Sequence, residues 1–356
     1  IGRRQHFTPL AMVETMVYGY APNEDVGSLH FSSFPEDCKK YLEFYRAHVD
    51  LYCDAKTAAD VALLYSYTSL SYITGSPLYS LRQFEQVLFQ EKIPYDVIFD
   101  EDLDGVSRYL VLALPNIASM SEEQVKRVVD YVRNGGSVVA TDQTSLLDDR
   151  LRRWRGSWYP EDGKPSYALG EALDIDWPDK GVFKAKIGAG RLAVVAHIVP
   201  SIEGARGTVI TQEGERRLRL DEVPTAHHSF GPPMPMVPNF LLPRNEDEIV
   251  DAINWAAGEK RRLRVEAPLS VTAELTWKSE AQRFALHLVN WKLEPQSGIK
   301  VWLRIPEGKK ITSITCLSPE QPGETKIRWQ MLGDLATFSV PKLQIYDLVA
   351  ISLANK

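Results

Sequence analysis

Residues 59–148 alternate between short, continuously apolar runs and longer amphipathic runs. The apolar runs are VALLYSY, DVIFD, YLVLALP and SVVATDQTS, and the amphipathic runs are PLYSLRQFEQVLFQ and SEEQVKRVVDYVRNGG. Because parallel strands need crossover helices, this order predicts a doubly wound α/β sheet. Functional groups in such sheets lie beyond the carboxyl ends of the strands, where Thr141, Asp142 and Gln143 end the last apolar run. Asp142 there could bind a ligand, although capping of the following turn is the expected role.

Two helices of this region carry clear end signals. Ser121 and Gln124 have the spacing of a capping box, and Gly135 follows the last apolar position. A second helix is predicted over residues 245–257, where Asn245 is expected to cap the first turn and Gly258 to end the last.

The flanking regions follow different patterns. Residues 9–20 and 36–52 have apolar positions at helical spacing, and no strand near them in sequence offers a surface to cover, so we expect the tail of a larger domain. From about Leu263 the chain reads as short alternating runs. In GIKVWLRI, apolar positions alternate with Lys300, Trp302 and Arg304, which predicts a small antiparallel β-sandwich.

Composition narrows the function classes. The chain has 356 residues, 44% hydrophobic and 25% charged, which is typical of globular protein with two or three domains. A formal charge of −6 gives no reason to expect nucleic acid or an anionic membrane as a partner. Three scattered cysteines exclude a disulfide framework or a thiolate metal cage. The start, IGRRQHFTPL, suggests a removed segment or a longer protein, so the compartment stays open.

Aromatic and histidine residues outside the strand ends are the other candidates. Tyr18, Tyr20 and His30 flank one loop and could stack on a sugar, although packing is the expected role. Trp154 and Trp158 lie in an irregular stretch and are expected to form a subunit contact or to bind a glycan. His227 and His228 are adjacent without metal-ligand spacing, so no metal site and no cofactor are predicted.

Taken together, these stretches resemble the C-terminal portion of bacterial β-galactosidase-like glycoside hydrolases. DVALLYSYTSLSY through VVATDQTS looks like the β-galactosidase trimerisation domain, PLAMVETMVYGYAP looks like the end of a (β/α)8 barrel, and LSVTAELTWKSEAQRFALHLVNW looks like the terminal β-sandwich. The resemblance implies three domains, at residues 1–55, 56–260 and 261–356. It also implies a flavodoxin-like, amidotransferase-like sheet, a homotrimer or other homo-oligomer, and carbohydrate as the substrate class.

The same resemblance points to a missing nucleophile. Amidotransferases of this fold place a cysteine in a sharp turn after a strand, and here that turn reads ATDQTSLLDD, with no cysteine or nearby histidine. Glycosidases need two carboxyl groups at the strand ends of a barrel, which would precede residue 1. Glu14 lies within a helical run, so no catalytic residue is assigned to this chain.

Three functions therefore remain open. The leading hypothesis is an accessory, oligomerising portion of a glycoside hydrolase. The second is an amidotransferase-like hydrolase that uses Thr144 or Ser145, and the third is a stand-alone carbohydrate-binding module that uses its tryptophans.

Overall fold

A computed structural model describes residues 7–18, 36–73, 76–153, 165–199, 202–203, 208–211, 214–217, 225–226, 234–235, 242–292 and 294–356. The described residues form two compact units. The sandwich unit falls within residues 1–59, 89–95 and 261–356, and the α/β unit falls within residues 60–88 and 96–260. This mixture of α/β and antiparallel β structure agrees with the fold class predicted from the sequence.

The elements are numbered in chain order. The helices are α1 (Phe7–Tyr18), α2 (Glu36–Ala47), α3 (Tyr67–Tyr72), α4 (Ser76–Gln90), α5 (Glu122–Arg133), α6 (Ala168–Leu173) and α7 (Glu246–Ala257). Short 3₁₀ helices cover Val49–Leu51, Asp100–Arg108 and Gly258–Lys260. The strands up to the last helix are β1 (Lys56–Thr57), β2 (Val61–Tyr65), β3 (Tyr95–Phe99), β4 (Val111–Pro115), β5 (Ser137–Thr141), β6 (Val182–Ile187), β7 (Gly190–Val195), β8 (Ile202–Glu203), β9 (Thr208–Thr211), β10 (Gly214–Arg217), β11 (Thr225–Ala226) and β12 (Met234–Pro235). The remaining strands are β13 (Leu263–Glu266), β14 (Val271–Lys278), β15 (Arg283–Asn290), β16 (Gln296–Arg304), β17 (Lys309–Ser318), β18 (Gln321–Lys326), β19 (Trp329–Leu332), β20 (Leu335–Leu343) and β21 (Tyr346–Asn355).

The α/β unit contains a six-stranded sheet in the order β3-β2-β4-β5-β7-β6. The pairs β2–β4, β4–β5 and β5–β7 are parallel, and β6–β7 is an antiparallel hairpin. Every residue of β4 and β5 is buried, which explains why these strands are continuously apolar rather than alternating. Strand β3 lies at the edge of the sheet.

The end signals of α5 are confirmed. Ser121 Oγ accepts from the backbone N–H of Gln124 at 3.2 Å, and the Gln124 side chain accepts from the backbone N–H of Ser121 at 2.7 Å. Gly135 follows with φ +106°, the left-handed conformation that ends many helices.

The cap predicted for α7 is wrong in its chemistry. Asn245 makes no side-chain cap, although α7 begins directly after it and ends at Gly258 as predicted. Its amide instead accepts from the N–H of Val199 at 2.9 Å and donates to the carbonyl of His197 at 2.8 Å. A partner about 46 residues away in sequence competes for the side chain, which local spacing does not reveal.

The sandwich unit contains two antiparallel sheets, in the orders β1-β14-β15-β21-β17-β18 and β13-β16-β20-β19. The main core lies between them and includes Leu286, Leu288, Val301, Leu303 and Val349, all fully buried. Two sheets with alternating inward positions agree with the predicted antiparallel β-sandwich.

The sequence around α1 and α2 suggests that these helices have no strand to cover. The structure shows that they do have a packing partner. Met16, Tyr41 and Phe44 form a second buried cluster with Ala285 and Leu348 of strands β15 and β21. The two helices therefore cover the outer face of the six-stranded sheet. Because those strands lie more than 200 residues away, the partner is invisible to local sequence patterns.

Candidate functional site at the strand ends of the α/β unit

Three residues without a glycine's freedom adopt left-handed backbone where the parallel strands end. Asn116 follows β4 with φ +53°, Asp142 follows β5 with φ +52°, and Ser145 has φ +65°. Such conformations cost on the order of 1–3 kcal/mol each and persist where surrounding contacts fix them. We call the polar side chains of Asn116, Thr141, Asp142, Thr144 and Ser145 at these turns, together with Ser80 of α4, the strand-end cluster.

Asp142 carries the only carboxyl group within this cluster as defined. Oδ1 accepts from the N–H of Ile198 at 3.1 Å, and Oδ2 accepts from the hydroxyl of Thr141 at 2.7 Å. Burial raises the pKa of Asp142, and these hydrogen bonds act against that rise. His197 Nδ1 lies 3.8 Å from Oδ1 on an imidazole that is largely exposed. The carboxylate thus joins the end of β5 to the turn after β7 and does not cap the turn that follows it.

Asn116 connects the ends of β4 and β5. Its backbone N–H donates to the hydroxyl of Thr141 at 3.0 Å, and its side-chain oxygen accepts from the N–H of Gln143 at 3.2 Å. Its amide nitrogen donates to the hydroxyls of Ser76 and Ser80 at 2.9 and 3.2 Å. A buried amide with all these partners holds the two turns in register.

The two candidate nucleophiles serve the backbone. Thr144 Oγ1 lies 2.9 Å from the carbonyl of Leu114, to which it donates, and accepts from the N–H of Ile117 at 3.1 Å. Ser145 Oγ accepts from the N–H of Leu169 at 3.0 Å. Both residues are fully buried, so neither hydroxyl is presented to a substrate in this conformation.

The other sequence candidates do not meet at this cluster. Tyr18 lies in the sandwich unit, where its hydroxyl is 3.2 Å from Thr272 Oγ1 and its ring packs on Phe89 at 5.5 Å. This placement corresponds to the packing role. Tyr20, His30, Trp154, Trp158, His227 and His228 lie outside the described residues. Their predicted roles remain predictions.

The described residues contain neither a metal-ligand group nor a membrane-spanning helix. No group of three His, Cys, Asp or Glu side chains there is placed to hold a metal ion. None of the helices described is long and apolar enough to cross a membrane.

The turn at residues 188–190 joins β6 to β7, and a Cβ on Gly190 would meet the carbonyl oxygen of Gly136 at 2.0 Å. This glycine allows a close backbone approach rather than cradling a phosphate.

One surface of the α/β unit was not predicted from the sequence. Val97 and Phe99 on edge strand β3, with Tyr67 and Tyr72 of α3, are 41%, 53%, 69% and 63% exposed. The Phe99 ring packs edge-on against Tyr65 at 6.3 Å, and Tyr67 packs against Tyr72 at 6.3 Å. We call these five residues the edge patch. The only sequence feature that could have indicated this surface is the series of tyrosines in the run YSYTSLSY.

Part of the α/β unit is similar to a known protein family. Residues 59–174 match the family model described as the β-galactosidase trimerisation domain. This portion of the chain is β-galactosidase-like. The match contains all six residues of the strand-end cluster and the whole edge patch. The resemblance predicted from the sequence is confirmed.

A curated relative and two solved structures extend the comparison. The chain is 28% identical over 82 residues to "Beta-galactosidase GanA" of Bacillus subtilis, a match that covers 23% of this chain and 12% of the relative. A β-galactosidase structure from Bacillus circulans sp. alkalophilus has a TM-score of 0.53 at 13% identity, and covers 93% of this chain and 46% of that one. The structure of "Alpha-L-fucosidase isoenzyme 2" from Paenibacillus thiaminolyticus has a TM-score of 0.52 at 18% identity. That match covers 90% of this chain and 52% of the fucosidase chain. The likeness to these structures is one of fold, and the chain spans about half of their length.

Proposed function

We propose that the chain is the accessory, oligomerising portion of a carbohydrate-active, β-galactosidase-like glycoside hydrolase, and that it holds no complete catalytic site. In this proposal residues 1–55 are the end of a barrel, residues 56–260 the oligomerisation domain, and residues 261–356 the closing sandwich. The sheet order, in which β2 lies between β3 and β4, supports a flavodoxin-like, amidotransferase-like ancestry for the middle domain. The match of residues 59–174 supports the family.

The edge patch is the observation that carries the assembly part of the proposal. Exposed edge strands are usually short, charged or covered, because unpaired backbone and apolar side chains recruit other chains. Here the edge strand carries Val97 and Phe99 outward, beside two exposed tyrosines. Aromatic residues are enriched at interfaces, and tyrosine is enriched among the few residues that dominate the binding free energy. The surface therefore fits a second copy of the chain.

The contacts within the strand-end cluster support the proposed absence of a catalytic site there. A hydrolase needs a nucleophile with a base in reach and a polar atom open to substrate. Thr144 and Ser145 are buried and bonded to backbone groups, and Asp142 is bonded to Thr141 and Ile198. The turn in which amidotransferases place their nucleophile would here hold the strand ends together. Cleavage of a carbohydrate would then depend on residues outside this chain.

Variants of the edge patch test the assembly. Replacing Tyr67 and Phe99 together by serine removes apolar area from the patch without opening a core, since both side chains are more than half exposed. We expect sedimentation velocity to show the double variant shifted toward single chains at concentrations where the wild type is assembled.

The matched control replaces two exposed apolar residues of the sandwich unit, Met331 and Leu332, by serine. It should sediment like the wild type. If the patch variant keeps the wild-type assembly while its circular dichroism is unchanged, the edge patch is not the interface. If the patch variant and the control variant both sediment as single chains, assembly does not depend specifically on the edge patch.

A further inference from the structure

The four-stranded sheet of the sandwich unit presents one tryptophan on its outward face. In β16, Ile299, Val301 and Leu303 point into the core, and Lys300 and Trp302 alternate with them. The register aligns Trp302 with Arg264 of β13 on one side and with Thr337 of β20 on the other, and Thr337 with Gln330 of β19. A single row across four strands therefore reads Arg, Trp, Thr, Gln.

Arg264 fixes the orientation of this tryptophan. Its guanidinium carbon lies 4.9 Å from the centroid of the Trp302 ring, a cation–π distance. The guanidinium occupies one side of the indole, and the indole also lines a groove that contains Thr337. Trp302 therefore lines the groove while Arg264 holds its ring, before any ligand arrives.

The groove runs beside Trp302 and has a volume of about 650 Å³, within the range of about 300–1,000 Å³ typical of ligand sites. The residues that line it include Thr337, Ser339 and residues 325–330. These hydroxyls and the Gln330 amide are neutral hydrogen-bonding groups of the kind that recognise sugar hydroxyls. The lining therefore combines an indole with neutral hydrogen-bonding groups, the two features that a sugar-binding site needs.

The charged residues that line the groove are all cationic. Lys300, Lys326 and Arg328 line it, and no carboxylate is among the described lining residues. Lys300 lies 3.6 Å from Glu266, which lies outside the lining, so that pair offsets part of the charge. Lys326 and Arg328 are exposed, and neither forms an ion pair with another described residue. A chain with a formal charge of −6 therefore carries a local cationic groove.

We propose that this groove binds an anionic polysaccharide strand, with a sugar ring on Trp302 and carboxylate or sulfate groups at Lys326 and Arg328. The aromatic face supplies apolar contact for the axial C–H groups of a sugar, and the cations supply charge-assisted hydrogen bonds to its anionic groups. The proposal concerns the sandwich unit and is independent of whether the edge patch assembles the chain.

Dextran sulfate and neutral dextran are suitable probes because they share a backbone and differ in charge, and polygalacturonate supplies carboxylate groups. With the full chain in affinity electrophoresis, we expect retardation by dextran sulfate and polygalacturonate and none by neutral dextran. Replacing Trp302 by alanine should weaken both interactions by about fivefold, the loss of one aromatic contact of about 1 kcal/mol. K326A/R328A should weaken them further and reduce their sensitivity to salt.

The control removes two lysines elsewhere on the same sandwich, K309A/K310A, which lies away from this groove's lining. It should bind like the wild type. Equal weakening in this control, or unchanged binding by the folded Trp302→Ala variant, would show non-specific attraction and overturn the proposal. So would absence of binding to either polyanion, or equal binding of single-stranded DNA. A change in sedimentation caused by K326A/R328A would instead make the groove a contact between chains.

Discussion

At the scale of single residues, long-range hydrogen bonds decide roles that local spacing leaves open. Asn245 has the position of a helix cap, but its amide binds backbone groups of His197 and Val199. Asp142 stands at a strand end, where a cap or a ligand site is expected, and its carboxylate binds Ile198. The sequence reveals that a polar residue stands at each turn. It does not reveal the partner, because the partner comes from another part of the chain.

Asp347 in β21 is the residue with the clearest consequence for stability. Burial raises the pKa of its carboxyl group to about 7, and Glu320 adds to the rise, while Ser318 and Cys316 donate hydrogen bonds that act against it. In the unfolded chain the pKa is about 3.9. Between these values the folded state binds more protons than the unfolded state, so protonation stabilises the fold at low pH and this contribution is lost as pH rises.

We therefore expect the contribution of Asp347 to the free energy of unfolding to fall between roughly pH 5 and pH 7, by up to about 1.4 kcal/mol per pH unit. Asp347→Asn should flatten the wild-type dependence in this range, as measured by urea unfolding at several pH values. The control is Asp334→Asn, because the pKa of Asp334 is lowered by Arg304 and its titration lies below this window. An unchanged slope in Asp347→Asn would contradict the assignment.

At the scale of elements, the hydrophobic period predicted most of the helices and strands. The strands of the α/β sheet and the helix after Ser121 were predicted because their apolar positions and end signals agree. The 3₁₀ helix Asp100–Arg108 and the short helix α6 were missed. A 3₁₀ helix has about three residues per turn and does not follow the α-helical period, and α6 is too short to show one. The run RFALHLVN does not alternate regularly between apolar and polar residues, because β15 is buried on both faces, by the core and by α1 and α2.

The contact between the β6–β7 hairpin and the end of α5 depends on Gly190. A Cβ at this position would lie 2.0 Å from the carbonyl oxygen of Gly136 and 2.1 Å from that of Val132, both backbone atoms that cannot turn aside. We expect Gly190→Ala to destabilise the α/β unit by about 1–3 kcal/mol, the usual cost of overpacking, or more. Thermal unfolding followed by circular dichroism measures it.

Gly105 provides the comparison for this substitution. It lies in the 3₁₀ helix before β4, and a Cβ there would meet no atom within 4 Å. Gly105→Ala should leave the unfolding temperature close to that of the wild type. Equal unfolding temperatures for the two variants would mean that the backbone around Gly190 relaxes freely, against the close approach described above.

At the scale of the whole molecule, sequence patterns predicted an α/β region followed by a β-sandwich, together with the β-galactosidase-like resemblance that the comparison of residues 59–174 confirms. They did not predict that α1 and α2 pack on the sandwich, because contacts between distant segments leave no local period. They also did not reveal the edge patch, since exposed aromatics on a short strand resemble core residues until the sheet order is known.

Assembly through the α/β unit is the central claim, and the mass of the wild-type chain in solution tests it most directly. Size-exclusion chromatography with multi-angle light scattering gives that mass without assuming a shape. We expect a homo-oligomer, with three times the 40.2 kDa chain mass for a trimer. A mass of one chain, unchanged across a hundredfold range of concentration, would contradict the proposal.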